Sequence, residues 1–177
     1  MRKIIFTFIA LLVATASWSQ TKTYHYPGDE PIVSLKVPSK TWIVNNESAW
    51  MSIKPDDNTE EGRMIAMIWK SDNPDAEDAV TILVDESFEL IESILVDIEW
   101  GEETTEFDNN DISFVGIDGN GYYVNDDNSK DQMMVSVSIL ILPDGNLLTF
   151  VFFGLEDAYT KHKDELIDIM LSITPTK

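Results

Sequence analysis

The chain contains no cysteine and only two histidines, His25 and His162, which lie far apart in its 177 residues. Without cysteine there is no disulfide framework, so packing alone must stabilise the fold. Zinc binds mainly to cysteine and histidine, and the sequence has no His-x-x-x-His pair. We therefore expect no transition-metal site, and we expect His162, which lies between Lys161 and Lys163, on a solvated helix face.

Basic residues are also scarce, with 12 lysines and arginines against 32 aspartates and glutamates, and the formal net charge is -20. A protein binds nucleic acid largely by neutralising its phosphates, so this balance excludes nucleic-acid binding of that kind. It disfavours anionic membrane surfaces for the same reason. The acidity favours solubility, and the partners that complement it are cations or a basic or neutral protein.

The motifs of common catalytic chemistry are missing as well. There is no Gly-x-Ser-x-Gly elbow and no Ser-x-x-Lys motif for a nucleophilic serine. The segment Gly119-Asn120-Gly121 lacks the rest of either nucleotide-binding fingerprint. Paired carboxylates for glycoside cleavage are uninformative in a chain with 32 acids. We therefore expect no cofactor and no enzymatic activity. An uncharacterised hydrolase is kept as an alternative, ranked below a carrier of a small ligand or cation.

Residues 1–19 have the pattern of a secretory signal peptide. Arg2 and Lys3 supply the positive start, residues 4–13 form an apolar run, and small residues follow it. The run is about half the length that spans a bilayer, and no cysteine follows it for lipid attachment. We expect a mature chain, residues 20–177, that folds as a single domain. It should be exported to the periplasm or the medium without membrane insertion.

Alternating apolar and polar residues predict short strands in the first part of the mature chain. Val33, Leu35 and Val37 alternate with polar residues, and the segment Pro38-Ser39-Lys40 ends that strand. The predicted strands are residues 32–37, 42–44, 50–54 and 63–70.

A long amphipathic helix is predicted over residues 76–98. Asn73 and Pro74 provide a helix start. One apolar stripe then recurs at helical spacing, formed by Val80, Val84, Phe88, Ile91, Leu95 and Ile98. The β-branched cluster at residues 80–84 leaves a strand as the alternative for that part of the segment.

Three short strands are predicted next, separated by two turn sequences rich in Asn, Asp and Gly. The strands are residues 104–107, 112–117 and 122–124, and the turns are residues 108–111 and 118–121.

The end of the chain predicts a β-hairpin followed by an amphipathic helix. The strands are residues 132–142 and 147–153, joined by a turn at 143–146, and the helix covers 156–172. The second strand is apolar on both faces except at Thr149, so we expect it in the centre of a sheet. The whole order of elements predicts an α+β fold, an antiparallel sheet with helices on both faces.

Three segments resemble a known superfamily. They are Val33-Ser34-Leu35-Lys36-Val37-Pro38 followed by Trp42, the glycine-bearing strand from Ile112 to Gly119, and the tail from Lys161 to Ile173. Over residues 30–174 the order of elements is similar to the PsbP-like superfamily. That superfamily holds extrinsic subunits of the photosynthetic oxygen-evolving complex, a Ran-binding nuclear import factor and many small bacterial envelope proteins. The resemblance implies an α/β/α sandwich and an accessory, binding kind of role. None of its ligand residues maps onto this sequence.

The acidic loops make calcium the metal to consider. Residues 126–131 place oxygen donors at alternating positions, as does Asp118-Gly119-Asn120. Neither the glycine nor the final glutamate of an EF-hand loop follows in register. Solvated turns are therefore the default, and a looser cation site is the alternative. Its ligands would be Asp118, Asp126 and Asp127, with Asp108 and Asp111 as further candidates.

Aromatic residues offer a binding surface as a further option. Most of the tryptophans and tyrosines lie inside apolar strands or beside the helix stripe, which favours core packing over a carbohydrate platform or a protein hot spot. Tyr122 and Tyr123 point to opposite faces of one strand, so only one of them is core if that sheet is covered on a single side.

Taken together, these patterns predict an exported, non-catalytic binding or accessory protein of the bacterial envelope. The alternative is a carrier of a small ligand or cation that uses the acidic loops. A carrier should show a concave pocket or converging carboxylates, whereas an enzyme should show a polar cleft with a titratable group of displaced pKa.

Overall fold

The computed structural model describes residues 20–47, 49–56, 64–72 and 78–176. The predicted signal peptide, the predicted helix start at Asn73 and Pro74, and part of the loop before residue 64 lie outside these ranges. In the described part of the chain, antiparallel sheets and two helices form the α+β fold that the sequence predicts.

The elements follow the predicted order with additions at both ends. They are β1 (Thr21–Tyr26), β2 (Val33–Pro38), β3 (Trp42–Asn46), β4 (Trp50–Pro55), β5 (Met64–Lys70), α1 (Ala79–Glu92), β6 (Val96–Trp100), β7 (Thr105–Asn109), β8 (Ile112–Val124), β9 (Lys130–Ile141), β10 (Leu147–Leu155), α2 (Glu156–Leu171) and β11 (Thr174–Pro175). Strands β1 and β11 are not in the sequence-based prediction, and neither is β6, which lies where the predicted first helix ends.

The strands form one large sheet and one small sheet. The large sheet has the order β3-β4-β5-β10-β9-β8-β6, and β7 also pairs with β8. The small sheet has the order β1-β2-β11. All of these pairs are antiparallel, and most join neighbours in the sequence.

Strand β10 lies in the centre of the large sheet, as its two apolar faces predict. Phe150 and Phe152 face a core that also contains residues of α2 and of the small sheet. Val151 points the other way, into a core closed by the end of α1 and by β6. Because apolar side chains leave water on both faces, this strand anchors the sheet between two helix-covered layers.

The first helix ends earlier than its stripe predicts, and this part of the prediction is wrong. Helix α1 stops at Glu92, and β6 begins at Val96. Leu95 and Ile98 still pack in the same core as Ile91, which explains why the apolar spacing continues. Asp97 has a φ of 52°, a left-handed conformation that a helix does not contain.

The predicted turn at residues 118–121 is also wrong, because these residues lie inside the long strand β8. The glycines serve close packing there. A Cβ at Gly119 would meet the Trp100 ring at 2.8 Å, and one at Gly121 would meet Ile98 Cγ1 at 3.0 Å. By contrast, the predicted turn at residues 108–111 is confirmed, with Asn110 and Asp111 at φ of 52° and 63° joining β7 to β8.

Candidate functional site

Helix α2 crosses one face of the large sheet and leaves a groove between itself and strands β7 to β10. The groove has a volume of about 320 Å³. It is lined by Thr105, Phe107, Gly116, Asp118, Ser136, Ser138, Phe150, Phe152, Tyr159, Leu166, Ile167, Met170 and Leu171. Most of these side chains are apolar, as is typical of small-molecule sites.

The floor of the groove is open because three small residues lie side by side in the sheet. Gly116 on β8 pairs with Ser138 on β9, and Asp118 pairs with Ser136 in the next row of this face. A Cβ at Gly116 would meet Ser138 Oγ at 2.7 Å, so this position admits only glycine without a shift of its neighbour. Ring side chains of β10 border the small residues, since Ser136 pairs with Phe152.

The roof of the groove is the inner edge of α2. Leu166 is buried, while Ile167 and Leu171 are 41% and 37% exposed where the groove opens to solvent. The Tyr159 ring packs against Phe152 with 5.1 Å between ring centroids. The sequence prediction that Tyr159, Leu166, Ile169, Met170 and Ile173 share the inner face of this helix is confirmed.

Asp118 gives the groove its only full charge among the described lining residues. Its side chain is exposed, so it lies at the mouth. Burial raises the pKa of the Tyr159 hydroxyl, and the negative charges of Asp118 and Asp164 raise it further. Asp118 and Tyr159 both line the groove, so a charge at its mouth acts on this hydroxyl.

Hydrogen bonds hold α2 in place along one side and at its C-terminal end. On one side, Thr41 Oγ1 and Trp42 Nε1 both donate to the Glu165 carboxylate. His162 packs edge-on against Trp42, with 5.6 Å between ring centroids. The prediction of a solvated His162 is therefore wrong, because the ring is half-buried against this tryptophan.

At the C-terminal end of α2, the turn between β7 and β8 caps the helix. Asn109 Nδ2 donates to the Leu171 carbonyl at 2.7 Å. Asn110 Nδ2 donates to the carbonyls of Leu171 at 2.9 Å and Ile173 at 3.0 Å. These bonds satisfy carbonyls that a helix end leaves without an intrahelical partner.

The structure does not bring the predicted cation ligands together. Asp118 lies within β8, whereas Asp126 and Asp127 lie beyond its end at Val124, about 20 Å further along the strand direction. Ser129 donates to Asp127 through its hydroxyl and its backbone N–H, which lowers the pKa of that carboxyl. In the described ranges, no three His, Cys, Asp or Glu side chains form a group that could hold a metal ion. The cation site therefore remains a prediction, because the described residues do not place its ligands around one point.

Of the further candidates, Asp108 lies near the end of β7 and Asp111 lies in the turn between β7 and β8. Asp108 Oδ1 accepts a hydrogen bond from Ser113 Oγ at 2.6 Å, which fixes this end of the hairpin. Asp111 is one of the two left-handed residues of the turn. Both positions are explained by local turn geometry.

Most aromatic residues are packed, as predicted. Trp42 and Tyr26 are buried, and the other described tryptophans are half-buried. Tyr123 is 38% exposed, and Tyr122 on the opposite face of the strand is half-buried.

A second concavity lies on the α1 side of the sheet. It has a volume of about 380 Å³ and is lined by residues that include Trp50, Trp69, Lys70 and Leu90. Trp50 and Trp69 are direct cross-strand partners on β4 and β5. Tyr26 donates its hydroxyl to the Ala49 carbonyl at 2.7 Å, and burial raises its pKa. This lining contains two charged residues, Lys70 and Asp72, whereas the α2 groove has one, so the α2 groove is the better candidate site for an apolar ligand.

Sequence patterns indicated the helical roof of the groove but not the site as a whole. The inner face of β9 changes from Ser136 and Ser138 to Leu140 and Leu142, which is a visible signal of an open floor. That signal has no meaning until the register places Gly116 and Asp118 opposite the serines.

No family model matches the chain, and no curated protein matches it. Solved structures do match. LpqN, involved in cell envelope biogenesis in Mycobacterium tuberculosis, is 16% identical with a TM-score of 0.54, over 89% of this chain and 92% of that one. The Ran-binding protein Mog1p of Saccharomyces cerevisiae is 10% identical with a TM-score of 0.52, over 88% and 95%.

A third match is the cyanobacterial PsbP of Synechocystis sp. PCC 6803, which is 12% identical with a TM-score of 0.51, over 92% of this chain and 96% of that one. At these identities the likeness concerns the fold alone. It confirms the PsbP-like and Mog1-like fold that the sequence resemblance implies.

Proposed function

We propose that the chain is an exported, non-catalytic binding protein of the cell envelope, and that the groove beneath α2 is its binding site. The observation that carries this proposal is the open floor of the groove. Gly116, Ser136 and Ser138 leave space in the middle of a sheet face that is otherwise filled by phenylalanine and leucine side chains. Protein interiors are close-packed, so a space of about 320 Å³ reaching the surface is suited to an apolar group.

The lining supports binding over catalysis. A nucleophilic serine needs a base within hydrogen-bonding distance and a third group that orients the base. Among the described residues around the groove there is no histidine, lysine or arginine beside Ser136 and Ser138. The single carboxylate, Asp118, has no second carboxyl in the lining with which to form an acid and base pair.

The sequence pattern, the fold and the charge support an accessory role in the envelope. Residues 1–19 carry the pattern of a signal peptide, and no helix of the described residues is long and apolar enough to cross a membrane. Among proteins of this fold, LpqN is named for cell envelope biogenesis and Mog1p for binding Ran. A basic or neutral envelope protein is the partner that the charge of -20 favours.

Binding in the groove is tested with N-phenyl-1-naphthylamine, a neutral apolar probe whose fluorescence rises when it leaves water. We expect saturable binding to the protein produced from the full coding sequence. Ser136→Leu should abolish binding, because the larger side chain fills the floor, while its melting temperature stays the same or rises. Ser136→Ala is the matched control, since it removes the hydroxyl but keeps the space. Equal binding by all three proteins would place the probe elsewhere and refute the groove.

Export is tested by fractionating the host cells and sequencing the N-terminus of the accumulated protein. We expect it outside the cytoplasm, beginning at Gln20. A protein that retains residues 1–19 in the cytoplasm would contradict the envelope part of the proposal and leave the groove intact.

A further inference from the structure

We propose that the ligand of this groove is a cationic amphiphile, with an apolar chain of about ten carbons beneath α2 and an ammonium group at Asp118. The inference rests on the proposed function of the groove and names the chemistry of its occupant.

The size of the chain follows from the volume of the groove. A water molecule takes roughly 30 Å³ in the liquid, and we treat a methylene group as similar in size. A groove of about 320 Å³ therefore holds roughly ten such groups. The floor and roof present mainly phenylalanine, leucine, isoleucine and methionine side chains, so burying each methylene there is favourable by about 0.8 kcal/mol.

The sign of the head group follows from the position of Asp118. This residue lies in the middle of β8, opposite Ser136, on the face that α2 covers. It is exposed, so a ligand whose chain fills the groove can place its head group at the carboxylate and keep contact with water. Its backbone is held as well, because the Gly101 N–H donates to the Asp118 carbonyl at 2.8 Å.

The surroundings reinforce a preference for cations. All other described lining residues are uncharged at neutral pH. The negative charges of Asp118 and Asp164 both raise the pKa of the Tyr159 hydroxyl, which lines the same groove. The whole chain carries a net charge of -20. An anionic head group would be repelled by the Asp118 carboxylate and by the net negative charge of the chain. An ammonium group would instead form a charge-assisted hydrogen bond with Asp118.

A metal ion does not explain the same features. One carboxylate is too few for a cation that needs several oxygen ligands, and the described residues contain no group of three acidic or histidine side chains that could hold one. An organic cation needs only one carboxylate, and the apolar lining then binds the rest of the molecule.

The test compares decylamine, decanol and decanoate, which share one chain and differ in charge. Each is titrated below its aggregation concentration against N-phenyl-1-naphthylamine bound to the protein from the full coding sequence. We expect decylamine to displace the probe at a concentration about three- to tenfold lower than decanol. Decanoate should be the weakest of the three. Asp118→Asn should bring decylamine to the level of decanol, whereas the matched control Asp126→Asn, on the distant loop, should keep the preference.

The outcomes separate the two proposals. Equal displacement by decylamine and decanol would overturn the cationic inference while groove binding stands. A preference for decylamine that survives in Asp118→Asn would overturn the assignment to this carboxylate. If none of the three compounds displaced the bound probe, the groove would not be a shared site for the probe and the amphiphile, and the proposal would be overturned.

Discussion

At the scale of single residues, Gly119 determines how closely β6 approaches β8. A Cβ at this position would lie 2.8 Å from the Trp100 ring and 2.9 Å from the Glu99 carbonyl oxygen. Trp100 in turn stacks on Phe88 of α1, with ring centroids 4.2 Å apart and planes 18° apart. The missing side chain therefore allows the contact through which the end of β6 supports α1.

We predict that Gly119→Ala lowers the free energy of unfolding by about 1–3 kcal/mol, because the added methyl group must displace a ring and a strand backbone. Gly28→Ala is the matched control. Its Cβ would lie 3.5 Å from Asn46 Nδ2, an ordinary contact, so its stability should change by less than about 1 kcal/mol. Urea denaturation measures both. Equal effects of the two substitutions would show that the close approach at Gly119 carries no cost.

Tyr159 reports the charge at the mouth of the groove. Its pKa is raised above 10.0, first by burial and then by Asp118 and Asp164. The folded protein therefore holds this proton more tightly than the unfolded chain. The resulting stabilisation is fully present below the unfolded pKa and is lost as the pH rises through the folded pKa.

We predict that the free energy of unfolding falls as the pH rises above about 10, and that Tyr159→Phe makes this fall less steep. Asp118→Asn should lower the pKa of Tyr159, since it removes a negative charge that opposes the tyrosinate. Asp126→Asn should leave it unchanged. Ultraviolet titration of each variant, with the Tyr159→Phe background subtracted, gives the pKa. A Tyr159 pKa that does not respond to Asp118→Asn would argue against their proximity.

At the scale of elements, the turn between β7 and β8 holds the C-terminal end of α2 above the groove. Asn110 contributes in two ways, because its side chain caps the Leu171 and Ile173 carbonyls and its backbone has a φ of 52°. The two contributions can be separated by substitution. Glycine adopts that φ without strain but has no side chain to cap the carbonyls, whereas alanine is strained at that φ and cannot cap them either.

We predict that Asn110→Gly costs about 1–2 kcal/mol through the lost hydrogen bonds. Asn110→Ala should cost about 1 kcal/mol more, because alanine is strained in the left-handed conformation. Chemical denaturation gives the stabilities, and the probe titration shows whether a released helix end weakens the groove. A glycine variant as stable as the parent would mean that the capping bonds contribute nothing.

The sequence predicts those elements whose signals are local. The hairpin of β9 and β10 and the helix α2 follow from two apolar strands, a turn and one amphipathic stripe, and all three are confirmed. Strand β6 is missed because Leu95 and Ile98 continue the spacing of α1 by packing in the same core. Residues 118–121 are misread because a glycine required by a neighbouring strand looks the same in sequence as one required by a turn.

The groove depends on long-range register, which local patterns do not contain. Ser136 and Ser138 are visible in the sequence as polar positions in an apolar strand. Their meaning arises only when β8 supplies Gly116 and Asp118 beside them and α2 covers the row. A one-residue shift of either strand would turn these side chains to the other face and remove the site.

At the scale of the whole molecule, charge opposes folding. A chain with 32 acidic and 12 basic residues repels itself more strongly when compact than when unfolded. One ion pair, between Lys130 and Asp97 at 2.6 Å, has both side chains largely exposed, so it offsets little of this repulsion. Salt screens exposed charges separated by more than about 10 Å at 0.1 M ionic strength.

We predict that raising sodium chloride from about 10 mM to about 500 mM increases the free energy of unfolding by about 1 kcal/mol, a rise of roughly 2–4 °C in Tm. Calcium chloride at matched ionic strength distinguishes screening from a specific site. Since Asp118 lies in β8 and Asp126 and Asp127 lie beyond its end, we expect the two salts to act alike. If calcium raised the free energy of unfolding more than sodium did, and Asp126→Asn removed the difference, the acidic loop would contain a cation site. The carboxylates of that loop would then bind a specific ion, in addition to contributing to the net charge.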